Sequence, residues 1–360
     1  MRRIFLMLAI ALFCLSFINN VSAQKKAVIA YYSGGLQAID SFDAKKFTHI
    51  IYCFGRLKGN LLHLRGSRDT LLIQKMVAMK KTNKKLKVLL SLGGWGGCEP
   101  CSDVFNTETG RKEFAQSVKS LTDFFGADGI DLDWEYPTIS GFPGHKFRPE
   151  DKQNFTDLVK ELRTVLGKKA VITFAAGGFD RFLEQSVDWT AVMPMLNYVN
   201  LMTYDLVGGY AKVTGHHTPL YSTATQKQST DNCVQYLLNH GVDAKKLIIG
   251  AAFYSRVWEG VENTNNGLYQ PGKFKAYIGY DKFLTAQNYT MYWDSVAQAP
   301  YAYNATEKLY ATFDNKRSVA LKTKYVMKQK LGGIMFWQLG HDLANGGLLD
   351  TINETLKKKK

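Results

Sequence analysis

Eight apolar segments, separated by stretches of helical periodicity, predict an α/β chain that closes into a (β/α)8 TIM barrel rather than an open sheet. Two further observations shape the expectation. One predicted strand carries acids at every second residue. One interval, residues 257–317, is too long for a simple crossover and predicts a small α+β insertion domain between the seventh and eighth strands.

The elements follow in order. Residues 27–32 (AVIAYY) are a continuous apolar run, as a strand buried on both faces requires, and residues 48–55 (THIIYCFG) are the next. Ser67 is placed to cap a helix that runs to about Thr82. Residues 87–95 (KVLLSLGGW) are the third strand, ending in a glycine pair where some group must approach the backbone closely. Phe114, Val118, Leu121 and Phe125 recur at helical spacing within 107–125. The acidic strand is fourth. A helix over 151–166 follows, with Phe155, Leu158, Val159, Leu162 and Leu166 on one side. Residues 170–176, 198–205, 246–254 and 332–338 are strands five to eight; a helix over 231–240 precedes the seventh, and a last helix runs to about Leu356. The 257–317 interval is rich in Tyr, Asn and Gly and should sit on the carboxyl rim of the barrel, deepening a groove there.

The 360 residues are 46% hydrophobic and 21% charged, with a formal charge of +15. Arg2 and Arg3 and the terminal Lys357 to Lys360 account for six of these charges. The remaining excess, with no basic cluster interleaved with aromatics, reads as a solvated basic face and not a nucleic-acid site. Residues 1–23 read as a signal peptide cleaved near Ala23-Gln24, its apolar run too short to span a membrane well. The expectation is a secreted, monomeric barrel over 24–356 with a disordered lysine tail at 357–360. Export permits disulfides, and Cys98-Glu-Pro-Cys101 reads as a small disulfide loop; the rival, a redox pair, usually opens a helix in a smaller fold. Cys53 and Cys233 lie in apolar patterns as buried thiols. The seven His show no ligand spacing, and no metal or cofactor is expected.

The chemistry concentrates in residues 128–137, DGIDLDWEYP. At a period of two, Asp131, Asp133 and Glu135 share one face of a strand and Ile130, Leu132 and Trp134 the other. Pro137 should end the strand and leave Glu135 near its carboxyl end. Each isolated buried charge costs several kcal/mol, so three stacked acids cannot all ionise cheaply and at least one should keep a proton near neutrality. A solvent-facing acidic strand would seldom alternate with Ile, Leu and Trp. A calcium loop would want Gly and Asn between its acids.

At this point the chain resembles the chitinases of glycoside hydrolase family 18 over nearly all of its mature length. The likeness rests on Ser91-Leu-Gly-Gly-Trp95, Asp128 to Glu135, Met202-Thr-Tyr-Asp205 and Phe336-Trp337. Trp293-Asp294 and Pro300-Tyr301 match the insertion of the deep-grooved subgroup. The resemblance implies that Glu135 is the general acid and base, and that Asp133 orients a substrate acetamide. It further implies that Asp131 shares a proton with Asp133 and that Tyr204 donates to the acetamide carbonyl. Trp337 would floor the cleft, and Trp95, Tyr136, Tyr31, Phe54 and Met202 would line it, with packing in the barrel core the competing role for Tyr31, Phe54 and Met202. Asp205, Tyr254 and Arg256 would contact sugar, with a structural ion pair the competing role for Arg256. Asp128 reads as a structural acid. The implied partner is chitin or N-acetylglucosamine oligosaccharides, cleaved at β-1,4 bonds with retention. An endo-β-N-acetylglucosaminidase acting on N-glycans and a catalytically weak chitin-binding lectin are the alternatives. Gln338 departs from the family pattern, standing where a more acidic residue is often found.

Overall fold

A computed structural model describes residues 26–358. The predicted signal peptide and its cleavage point lie outside the described residues, as do residues 359–360 of the lysine tail.

Eight parallel strands close the barrel: β1 (Ala27–Tyr32), β2 (His49–Lys58), β4 (Lys87–Gly93), β5 (Gly129–Asp133), β6 (Val171–Gly177), β7 (Tyr198–Met202), β8 (Leu247–Ala252) and β14 (Gly333–Trp337). Closure is by β1, which pairs with both β14 and β2. A short β3 (Leu61–His63) folds back on β2 as a hairpin that the apolar pattern does not announce. Residues facing outward from the strands join the helices in one large core, which takes in Ile130, Leu132 and Trp134. The barrel lumen is packed by a smaller set that includes Ile29, Ile51, Leu89, Ile248 and Met335.

Between β8 and β14 lies a second, antiparallel sheet: β9 (Tyr254–Glu259), β10 (Lys273–Gly279), β11 (Thr290–Asp294), β12 (Ala299–Asn304) and β13 (Leu309–Phe313), in the order β10-β9-β13-β12-β11. Its faces bury two separate clusters, one around Val257, Ala302 and Phe313 and one around Trp258, Tyr303 and Tyr310.

Several boundaries differ from expectation. The run over residues 246–254 is two strands, because Phe253 turns into the strand–helix core to stack on Phe336 at 4.2 Å and Tyr254 starts the second sheet. The acidic strand pairs only as far as Asp133, so Glu135 projects past the last ladder bond. Ser67 is the first helical residue of Ser67–Ala78, not its cap; Gly66 holds the cap position without a side-chain bond. Lys357 belongs to the last helix, Leu348–Lys357, rather than to a tail: buried Leu348, Leu349 and Ile352 carry the helix to its end, where a cation suits the helix dipole.

Candidate active site

Parallel register aligns same-side residues of neighbouring strands, and it sets Ser91 on β4 and Thr173 on β6 directly beside Asp131. Both hydroxyls donate to the Asp131 carboxylate, at 3.0 and 2.5 Å, joined by the Tyr31 hydroxyl at 3.1 Å and the Asn200 amide at 3.1 Å. Each Asp131 oxygen thus accepts twice. Burial raises the Asp131 carboxyl from its ordinary value, with these donors opposing.

Asp133 is differently placed. Its Oδ1 is buried without a partner, and burial together with the neighbouring Glu135 and Asp131 raises its carboxyl well above the usual range. Glu135 is pushed up to about 7, mainly by burial, with the nearby Asp205 charge adding and the Tyr136 hydroxyl opposing. Two buried carboxyls this close titrate as a pair.

These acids open into a cleft of about 630 Å³ at the carboxyl ends of the strands. Its floor is Trp337, stacked on Phe54 at 5.5 Å with the rings 14° apart and tilted against Tyr31 at 6.1 Å. One wall holds Met202, Tyr204 and Tyr254; the Tyr204 hydroxyl lies 3.7 Å from the Met335 sulfur, and its ring meets Tyr254 edge-on at 6.0 Å. Arg256 on β9 binds Asp205 through both carboxylate oxygens, at 2.8 and 2.5 Å, and His217 Nδ1 stands 3.5 Å from the same group. Burial alone would raise the Asp205 carboxyl, but His217 and Arg256 outweigh it and hold it well below the usual range. At the rim Trp95 is 45% exposed and touches Tyr136, Phe142 and Tyr210. A concave, aromatic-lined cleft with buried acids at its base suits a neutral, hydroxyl-rich substrate and proton transfer at its centre.

Residues 22–342 match the family model described as glycosyl hydrolases family 18. The chain belongs to that family. Chitinase A1 of Niallia circulans is 35% identical over 298 residues, covering 75% of this chain, which spans 42% of the length of that relative. A family 18 N-acetylglucosaminidase from Paenibacillus barengoltzii has the same fold with a TM-score of 0.83 and 32% identity, over 92% of this chain and 99% of that one. A Group II chitinase catalytic domain of Ostrinia furnacalis, solved with penta-N-acetylchitooctaose, superposes with a TM-score of 0.84 at 27% identity, over 94% and 98% of the two chains.

In this family 18 chain, the sequence-predicted residues Glu135, Asp133, Tyr204, Trp337, Trp95, Tyr136, Tyr31, Phe54, Met202, Asp205, Tyr254 and Arg256 all line the one cleft. Asp131 lies beneath it, fully buried. Tyr31 both lines the cleft and serves the lumen through its bond to Asp131, and Arg256 is at once a cleft residue and an ion-pair partner. Asp128 stands apart, held by Lys80, Lys87 and the Val88 amide. Cys98 and Cys101 are bonded to one another just beyond β4, while Cys53 and Cys233 are free and buried. Among the described residues no three His, Cys, Asp or Glu form a metal cluster, and no helix is long and apolar enough to cross a membrane.

Sequence reasoning missed the donors Asn200 and Thr173, the partner His217, and the cleft residues Phe179, Tyr210, Phe274 and Tyr277. Asn200 could have been found, since a lone amide in an apolar strand two residues before Met202 must face the lumen. Phe274 and Tyr277 carried no signal, because the second sheet alone brings them to the cleft.

Proposed function

We propose that this chain hydrolyses β-1,4 bonds between N-acetylglucosamine units of chitin or its oligosaccharides, with retention of configuration and assistance from the substrate. The observation that carries the reading is Glu135, a buried carboxyl raised to about 7, set beside an unpartnered Asp133 oxygen at the base of an aromatic cleft. Glu135 gives its proton to the glycosidic oxygen as the sugar's own acetamide oxygen attacks the anomeric carbon. The bond to the leaving sugar breaks, and the ring formed is a cationic oxazolinium. Asp133, sharing its proton with Asp131, accepts the acetamide N–H and balances that charge, and Tyr204 donates to the acetamide oxygen. Glu135, now ionised, takes a proton from water as the water oxygen attacks the same face and opens the ring, so the product keeps its anomeric configuration. Asp131, gripped by four donors, fixes the strand beneath. Trp337 carries the reacting sugar, and Trp95 stacks on a sugar further along.

The family membership, the relative named a chitinase and the chitooligosaccharide complex of a structural neighbour support the substrate class. An exo-acting reading, release of single N-acetylglucosamine units, draws support from the neighbour titled an N-acetylglucosaminidase, which this chain matches over 99% of its length. Secretion and a monomeric state belong to the same proposal.

Product analysis on defined N-acetylglucosamine oligomers tests it. Wild type should release the β-anomer first, and Glu135→Gln should lose turnover by at least about 10²-fold while still binding. An inverted first product, or undiminished turnover in the variant, would overturn the mechanism. The size of the first product separates exo from endo cleavage.

A further inference from the structure

Five polar groups behind Trp337 form a hydrogen-bonded chain whose proton positions follow from donor and acceptor counting. The Ser33 backbone N–H points at one end of the buried Gln338 amide at 3.0 Å, so that end must be the carbonyl oxygen. The other end is therefore NH2, and it faces His341 Nε2 at 3.3 Å. An NH2 can only donate, so Nε2 carries no proton and the neutral ring holds its proton on Nδ1. Nδ1 stands 3.1 Å from the Tyr277 hydroxyl and donates to it. The Trp337 indole N–H, which can only donate, reaches the same oxygen at 3.0 Å.

The Tyr277 oxygen thus accepts twice, and its own proton has no acceptor among the described residues. Tyr277 lines the cleft and is 39% exposed. Burial lowers the pKa of the His341 ring, in keeping with the neutral form.

We infer that Tyr277 is a substrate-binding residue whose hydroxyl is forced to donate a hydrogen bond to an oxygen of the bound glycan, with Gln338 and His341 as positioning residues that set its polarity. The inference rests on the reading of this cleft as an N-acetylglucosamine site. It assigns a recognition role to the second sheet, because β10 carries Tyr277 to the edge of the Trp337 floor.

The test is the Kd of an N-acetylglucosamine tetramer, measured by calorimetry at pH 8 in the Glu135→Gln background, where bound oligomer is not consumed. Tyr277→Phe removes the proton and should weaken binding by about 3–10-fold. That change also strips Trp337 of its acceptor, so a second variant separates the two effects. Gln338→Glu presents a carboxylate that accepts from both Ser33 and His341 Nε2. The ring proton then moves to Nε2, Nδ1 captures the Tyr277 proton, and the Trp337 bond survives. Gln338→Glu should therefore weaken binding by a similar factor at pH 8, and the double variant should be no weaker than Tyr277→Phe alone. Lowering the pH to about 5.5 protonates His341 beside the introduced carboxylate, returns the Nδ1 proton, and should restore the affinity of Gln338→Glu but not of Tyr277→Phe. Unchanged binding in Tyr277→Phe overturns this inference while leaving the glycan site intact. A pH-independent loss in Gln338→Glu overturns the polarity argument. Failure of the Glu135→Gln parent to bind the tetramer overturns both this inference and the function it rests on.

Discussion

Glu135 is poised near neutrality because burial outweighs the opposing Tyr136 hydroxyl. In the proposed mechanism the free protein acts with this group protonated, so kcat/KM should fall as pH rises through about 7. Asp205 contributes to the upward shift. Its removal in Asp205→Asn also frees the Arg256 charge, and both changes favour the ionised acid. The alkaline limb of the pH–rate profile should then move toward lower pH by about 0.5–1 unit. A limb that stays in place would show that Asp205 does not reach Glu135 electrically. The acids, their spacing and most of the aromatics were legible from residues 128–137 and the motifs around them. What holds the acids was not: Asn200, Thr173 and Ser91 come from three separate strands, and only strand register brings them to Asp131.

At the scale of elements, the close of β4 controls the acidic strand. Gly93 has a φ of 109° and lies directly beside Asp133 in the parallel register. An added Cβ there would overlap the Asp133 carbonyl oxygen. The glycine pair expected to admit a close approach does so: the acidic strand's own backbone approaches Gly93, and the Phe54 ring approaches Gly94. Gly93→Ala should cost about 2–4 kcal/mol in urea denaturation and lower kcat together with stability, since the relief of that clash displaces Asp133. Full stability in this variant would mean that β5 tolerates a shift the register argues against. Barrel strands were readable as apolar runs because both of their faces are buried. Strand β10 of the second sheet was not, because its residues are alternately exposed and half-exposed and its Tyr- and Lys-rich text carries little apolar contrast.

At the scale of the molecule, the barrel and the second sheet are joined by a buried ion pair. Lys322 and Asp314 are both fully enclosed, 2.6 Å apart. Asp314 also accepts from the Ala252 amide at the end of β8 at 2.9 Å and from the Ser318 hydroxyl at 2.6 Å, and the Lys322 amine reaches the Thr218 hydroxyl at 2.5 Å. Lys322→Met should cost about 3–5 kcal/mol by stranding the Asp314 charge, and Asp314→Asn in that background should recover part of the loss. Thermal unfolding of the single and double variants measures both. Equal stability of Lys322→Met and wild type would mean that the pair contributes nothing to holding the two sheets together.

The sequence by itself determined the barrel, the acidic strand and the family, because continuous apolar runs and a contiguous acid motif are local patterns that a linear text preserves. Tertiary structure alone decided which donors fill Asp131, how Arg256 and His217 depress Asp205, and where the Tyr277 proton points. Each of those depends on residues tens to hundreds of positions apart, and their meeting is set by barrel closure and by the docking of the second sheet on its rim.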